Sequence, residues 1–223
     1  MELYNKTIVV WFSCGAASAV ACKIVKEKYG KNNTIHYINN PIKEEHPDNQ
    51  RFLKDIESWL NIEIKQQVSD KYPNASCEEV WNDRKYMSGI SGAPCTLELK
   101  KKARQKWENE NHFDYLVLGF TADEKSRHER FKKNERDNIL PILIDEGITK
   151  KDCYDILLSN DIELPYVYKL GFPNANCIGC VKATGVTYWN LVRKTFPNVF
   201  DKRNETARKI GCKLVRYKGK RIH

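Results

Sequence analysis

Short apolar runs recur along the first two-thirds of this chain, each too brief to be a helix and each followed by a stretch with helical spacing. That alternation restricts the fold more than any other feature, because parallel strands need crossover helices between them. The run from Thr7 to Phe12 is β-branched and aromatic and reads as a buried strand, and Ala16 to Tyr29 follows at helical spacing. Thr34 to Ile38 and Ile62 to Val68 read as the second and third strands, with a helix from Pro47 to Leu60 between them. A helix near Glu78 to Met87, a small-residue loop from Ser88 to Pro94 and a basic helix from about Leu97 to Asn111 come next. Tyr115 to Phe120 and Ile139 to Ile144 supply the fourth and fifth strands. A last regular helix runs from Thr149 to Asn160, with Thr149 placed to cap it ahead of Asp152. The expected fold is α/β: a Rossmann-like, mostly parallel five-stranded sheet with helices on both faces, binding its ligand at the carboxyl ends of the strands. Residues 1–163 form this domain, and 164–223 form an irregular, helical C-terminal extension packed on it, with helical stretches around Tyr188 to Lys194 and Lys202 to Ile210.

Composition narrows the partners. The 223 residues suffice for one substantial domain, and 41% hydrophobic and 11% aromatic residues describe a chain that folds. Its apolar runs fall far short of the roughly 20 residues that span a bilayer, and no signal-peptide pattern opens it, so a cytoplasmic protein without membrane contact is expected. A formal charge of +9 favours an anionic partner, a nucleotide, tRNA or DNA, over a solvated basic surface only weakly. The tail from Lys213 to Arg221 is basic and holds no acid, which makes it the better candidate for a phosphate backbone. Eight cysteines in a reducing compartment point to metal or redox chemistry and not to disulfides. Cys22, Cys77 and Cys153 read as packing residues.

The turn after the first strand is the strongest motif. Ser13, Cys14, Gly15, Ala16, Ala17 and Ser18 are small residues where a strand gives way to a helix, so backbone amides can approach an anion, aided by the helix dipole and the two serine hydroxyls. The bland reading of the same spacing is tight packing of helix on strand. The hexapeptide resembles the Ser-Gly-Gly-x-x-Ser PP-loop of the adenine nucleotide alpha-hydrolase-like superfamily, with Cys14 for the first glycine. Downstream, Leu164-Pro165-Tyr166-Val167-Tyr168 and Gly171-Phe172-Pro173 lead into Cys177-Ile178-Gly179-Cys180, which is similar to a segment of phosphoadenosine phosphosulfate (PAPS) reductase-family proteins. The resemblance covers about residues 7 to 200. It implies a HUP-type fold with ATP or a related adenine nucleotide over the turn, helped by Mg²⁺, and with Gly119, Phe120 and Thr121 holding the adenine or ribose side. Arg127 and Arg130, three apart on the next helix, can meet phosphate or sulfate oxygens, or form an exposed ion-pair patch with Glu124 and Glu129. His128 between them is expected to be exposed.

Cys177 and Cys180 form a C-x-x-C, a spacing that lets two thiolates converge on one metal, and Cys95, after Pro94 and ahead of a helix, is a plausible third ligand. Cluster-bearing sulfonucleotide reductases carry a Cys-Cys pair and a later C-x-x-C, so the resemblance implies an iron–sulfur cluster on three thiolates with one iron open. Zinc with a fourth ligand such as Cys212 or a histidine competes with it, as do a redox disulfide and plain structural cysteines. Lys100 and Lys182 are the candidate groups for neutralising charge near these thiols, and Trp189, in a Tyr-Trp pair, for covering them. The reading that follows is ATP-dependent adenylation coupled to sulfur transfer onto a tRNA, DNA or nucleotide acceptor, with sulfur from a donor protein. Reduction of a sulfonucleotide (PAPS or APS) is the alternative, although Arg216 to His223 lacks the Glu-Cys-Gly-x-x-His type motif of that route. A nucleotide-binding regulatory protein without turnover is the third. Oligomeric state is not legible in the sequence.

Overall fold

The computed structural model describes residues 2–222. These residues form two compact units. The first comprises the chain up to Asn40, Pro47–Gln67 and Trp107–Tyr166; the second comprises Pro41–His46, Val68–Lys106 and the chain from Val167 on.

The first unit holds the sheet. β1 (Thr7–Phe12), β2 (Thr34–Asn39), β3 (Ile64–Gln66), β4 (Tyr115–Val117) and β5 (Ile139–Leu140) lie in the order β3-β2-β1-β4-β5. Every pairing in this sheet is parallel, with Thr7 opposite Thr34 and Ile8 opposite Tyr115. β1 is the centre: β2 and β3 add on one side of it, and the chain then crosses back to add β4 and β5 on the other, so the strand order reverses between β1 and β4. Alternate β1 side chains go to opposite faces. Trp11 meets Trp107 edge-on with centroids 6.0 Å apart, whereas Phe12 stacks on Phe52 at 6.2 Å. Trp107 lies on α4 (Lys102–Glu110) and Phe52 on α2 (Asp48–Leu60), so each face of the sheet has its own helix.

α1 spans Ala16–Tyr29 as its spacing predicts, and α7 (Lys150–Leu158) starts from a capping box: Asp152 N–H donates to Thr149 Oγ1, and Thr149 N–H to the Asp152 carboxylate. Three expected strands are shorter in the structure. The third keeps only Ile64–Gln66. The fourth ends at Val117, because Phe120 N–H turns back to Leu118 O. The fifth ends at Leu140, because Pro141 has no N–H for the ladder; the chain goes on as a helical turn, α6 (Ile142–Asp145). His128, expected at the surface, is 3% exposed on α5 (Lys125–Asn134), with its ring 5.9 Å from that of Phe120. The reason is the aromatic pair Phe120 and Phe131, which draws that face of the helix inward.

The second unit is helical. It contains α3 (Cys77–Arg84), a π-helical turn over Thr96–Lys101 that leads into α4, a short helix α8 (Tyr166–Lys169) at its border, α9 (Val186–Thr195) and α10 (Pro197–Ile210). The basic tail folds as an antiparallel hairpin, β6 (Val215–Tyr217) with β7 (Lys220–Ile222), a pairing the sequence pattern does not predict. The basic helix expected from Leu97 begins with the wide π turn, which brings Glu98 inside at 1% exposure. Its carboxylate is bound by Arg84 and by Lys102 at 2.9 Å. No helix among the described residues is long and apolar enough to cross a membrane.

One close approach fixes where β4 can sit against α1. A Cβ built on Gly119 would lie 2.8 Å from Ser18 N and 3.0 Å from the Ala17 carbonyl carbon, both backbone atoms. Gly119→Ala should therefore cost about 1–3 kcal/mol in chemical denaturation, by forcing the first turn of α1 away. A cost below about 0.5 kcal/mol would show the approach to be slack.

Candidate functional site

Two groups of candidate residues stand out, one in each unit. In the first unit β1 hands the chain to α1 through Ser13, Cys14 and Gly15. Cys14 adopts the left-handed region at φ 54° and is 1% exposed. A non-glycine residue pays a steric cost there, which accounts for the glycine that the PP-loop pattern carries at this position. The Cys14 side chain is buried beside Asn39, whose amide donates to Phe12 O at 2.9 Å and to the Cys14 sulfur at 3.7 Å. Ser18, also buried, holds the bend: its hydroxyl donates to Gly15 O at 2.8 Å and accepts from Ser13 N–H at 3.1 Å, with Ser13 Oγ 3.2 Å away. The Ser18 proton is thus spent inside the turn, so this residue shapes the loop instead of offering a hydroxyl outward. Ala19 N–H makes a backward helical bond to Gly15 O, so α1 starts directly at this turn.

Gly119 lies directly behind this turn. Phe120 does not offer its ring to a ligand: it is 6% exposed, packed between His128 and Phe131, with the Arg127 guanidinium 5.1 Å from its centroid. Thr121 is buried. Arg127 pairs with Glu124 at 2.5 Å, and Arg130 is exposed. Asn39, which sequence reasoning missed, has its Oδ1 buried without a hydrogen-bond partner at the carboxyl end of β2. An asparagine ending a strand beside the turn was the signal available.

The second unit gathers thiols. Cys177 and Cys180 lie in the loop before α9, with Gly179 between them at φ 66°; a Cβ there would meet Arg203 Cγ at 3.1 Å and Val199 Cγ1 at 3.2 Å. Tyr188 secures the loop: Cys180 N–H donates to its hydroxyl at 2.8 Å, and that hydroxyl reaches Cys177 O at 3.4 Å. Trp189 turns its indole N–H to Ala183 O and packs in the core of this unit, so Tyr188 is the member of the pair that meets the thiol loop. Cys77 enters where the sequence suggested only packing. It is 2% exposed at the start of α3, and its sulfur is 3.9 Å from that of Cys177. Cys95 lies just ahead of the π turn, where Cys77 acts on it electrostatically. The neighbouring Cys77 thiol, with support from Trp81, the Thr96 amide and the Lys100 charge against the effect of burial, lowers Cys95 below the usual thiol range, while Cys77 is pushed up. Cys212 is turned elsewhere and donates to Ser88 O. Cys22 and Cys153 are fully buried packing residues, and burial pushes the Cys153 thiol up to about 12.

Residues 44 and 45, also missed by sequence reasoning, tie this group together. The Glu44 carboxylate accepts from Cys77 N–H and Ser76 Oγ at 2.8 Å and from Glu78 N–H at 3.2 Å, capping α3 at the residue that carries the thiol. Glu44 O accepts from Ile178 N–H at 2.9 Å, inside the C-x-x-C. Glu45 binds Lys100 at 3.2 Å. Burial disfavours the Lys100 charge, but Glu45 and the nearby Cys177 and Cys77 sulfurs outweigh it and raise the ammonium above its usual range. Lys182 is exposed; its backbone amide, not its side chain, bonds the Cys180 sulfur.

The donor set is wholly thiol, which suits zinc or an iron–sulfur cluster and not magnesium. The 3.9 Å between Cys77 and Cys177 matches the ~3.8 Å edge of a tetrahedron built on 2.3 Å metal–sulfur bonds. Cys77 and Cys177 stand as one thiol pair, and among the described residues no three Cys, His, Asp or Glu are grouped closely enough to hold a metal ion as they stand. Metal binding requires the thiol protons to leave.

Comparison with known proteins places these features in context. The family model for the phosphoadenosine phosphosulfate reductase domain matches residues 7–186. Among solved structures the chain is similar to a U34-tRNA thiolase, NcsA from Methanococcus maripaludis, determined with its [4Fe-4S] cluster. That similarity has a TM-score of 0.52 at 13% identity over 93% of this chain and 70% of the thiolase, a likeness of fold. No curated protein matches the chain.

Glu44→Ala removes three hydrogen bonds to a carboxylate. We expect about 3 kcal/mol lost from the second unit, read by hydrogen exchange of the α3 amides, with α1 amides unaffected. Equal protection of α3 in both proteins would refute the capping role.

Proposed function

This chain belongs to the phosphoadenosine phosphosulfate reductase domain family, and we propose that it is a PP-loop enzyme that adenylates an acceptor with ATP and replaces the activated oxygen by sulfur. The observation that carries this reading is the Ser13–Ser18 turn, folded tight by Ser18 at the point where the strand order reverses, with Gly119 allowing no side chain behind it. Phosphate oxygens accept from the turn's amides at the positive end of α1. Magnesium, when bound, offsets the charge on those phosphates. Gly119 and Thr121 flank the nucleotide, and Arg130, exposed near the Arg127–Glu124 pair, supplies a cation for phosphate oxygens.

In the first step an acceptor carbonyl oxygen attacks the α-phosphorus and pyrophosphate leaves. In the second, sulfide sulfur from a donor protein attacks the carbon that bears the adenylated oxygen. AMP departs with that oxygen and a proton is released, leaving a carbon–sulfur double bond. No change of oxidation state is required. An iron–sulfur cluster on Cys95, Cys177 and Cys180 supplies, when bound, a place for sulfur, and Lys100 keeps positive charge beside these thiolates. The basic β6–β7 hairpin suits a tRNA or DNA acceptor's phosphate backbone. Zinc is the second reading of the centre, favoured by the single-ion spacing of Cys77 and Cys177.

Protein purified without oxygen should convert ATP to equal amounts of AMP and pyrophosphate only when bulk tRNA or DNA and sulfide are both present. Cys177→Ser should lose its iron while still binding ATP. Release of sulfite and adenosine 3′,5′-bisphosphate from PAPS, with no pyrophosphate from ATP, would replace this reading by sulfonucleotide reduction. Binding of ATP without product under either condition would make the protein a nucleotide-binding regulator.

A further inference from the structure

Cys77 is the residue in the thiol group that neither the C-x-x-C spacing nor the Pro94-Cys95 motif brings in. We infer that Cys77 is the fourth thiolate of the single-ion reading of the centre, completing a tetrahedron with Cys95, Cys177 and Cys180. The inference rests on the reading of Cys95, Cys177 and Cys180 as metal ligands and adds to it a residue from a different helix.

Three observations support the assignment. The Cys77 sulfur stands 3.9 Å from that of Cys177, a separation that two ligands of one tetrahedral ion would have. Cys77 also acts electrostatically on Cys95, so it is a neighbour of ligands from two separate segments. And its backbone is held independently of any metal: the Glu44 carboxylate caps the first turn of α3, while Glu44 O binds Ile178 N–H, so one residue sets both Cys77 and the C-x-x-C loop. Such support around a ligand fixes its position before the metal arrives. Cys212, the other thiol of this unit, is committed to Ser88 O.

The consequence is chemical. Four protein thiolates leave no vacant coordination site, so an incoming sulfur or inhibitor must displace a cysteine.

Cobalt(II), added without oxygen to reduced, metal-free full-length protein, reads this directly, since its thiolate charge-transfer band grows with the number of sulfur ligands. Wild-type protein should show a four-thiolate tetrahedral spectrum. Cys77→Ser should lose about a quarter of the charge-transfer intensity and bind cobalt at least tenfold more weakly, while Cys212→Ser matches wild type. X-ray absorption on the cobalt-loaded wild type counts sulfur neighbours without any variant, so a Cys77→Ser protein that fails to fold does not stop the test. Four sulfurs support the assignment; three sulfurs with an oxygen or nitrogen overturn it. If Cys177→Ser lowers the band and Cys77→Ser leaves it intact, Cys77 is not a ligand but the centre stands. If neither changes it, the centre itself is misassigned.

Discussion

The Ser18 hydroxyl, caught between Gly15 O and Ser13 N–H, decides how sharply the central strand turns into the first helix. Everything attributed to the first unit depends on that bend. If it were wider, the amides at the start of α1 would be filled by side chains or water, and the helix dipole would face no ligand. The bend is tight because nearly every residue in it is small, because Cys14 accepts a left-handed backbone, and because Gly119 behind it has no Cβ. The sheet then does the rest. With β1 in the middle and the chain crossing back past it between β3 and β4, the turn opens where parallel α/β sheets leave a crevice.

Much of this was legible in the sequence, and the reasons are specific. The run Thr7–Phe12 was recognisable because a strand buried on both faces has to be apolar throughout, and α1 because its small and apolar residues recur at helical spacing. Thr149 and Asp152 announced their helix start by chemistry that needs no tertiary partner. What failed depended on neighbours distant in sequence. His128 looked exposed among charged residues, and only the fold supplies Phe120 beside it. The fifth strand was cut short by a proline inside an otherwise convincing apolar run.

The thiol group shows the same division. Cys177 and Cys180 declare themselves by spacing, and Cys95 by its place before a helix. Cys77 carries no local signal: it stands among acidic residues at a helix start and joins the others only because Glu44, itself unremarkable in sequence, binds both α3 and the C-x-x-C loop. Spacing rules find ligands that share a loop and miss those delivered by an element a hundred residues away. Under the proposed function the two units would bring different chemistry to one chain of the PAPS reductase domain family, phosphate recognition from backbone amides and soft-metal binding from sulfur.

The claim on which the account turns is that the Ser13–Ser18 backbone receives phosphate. Amide nitrogen–proton correlation spectra of isotope-labelled protein, titrated with a non-hydrolysable ATP analogue and magnesium, test it residue by residue. The account predicts saturable shifts concentrated at Gly15, Ala16, Ala17, Ser18 and Gly119. Saturation with those amides unmoved, or with the shifts confined to the basic hairpin at Val215–Ile222, would contradict it.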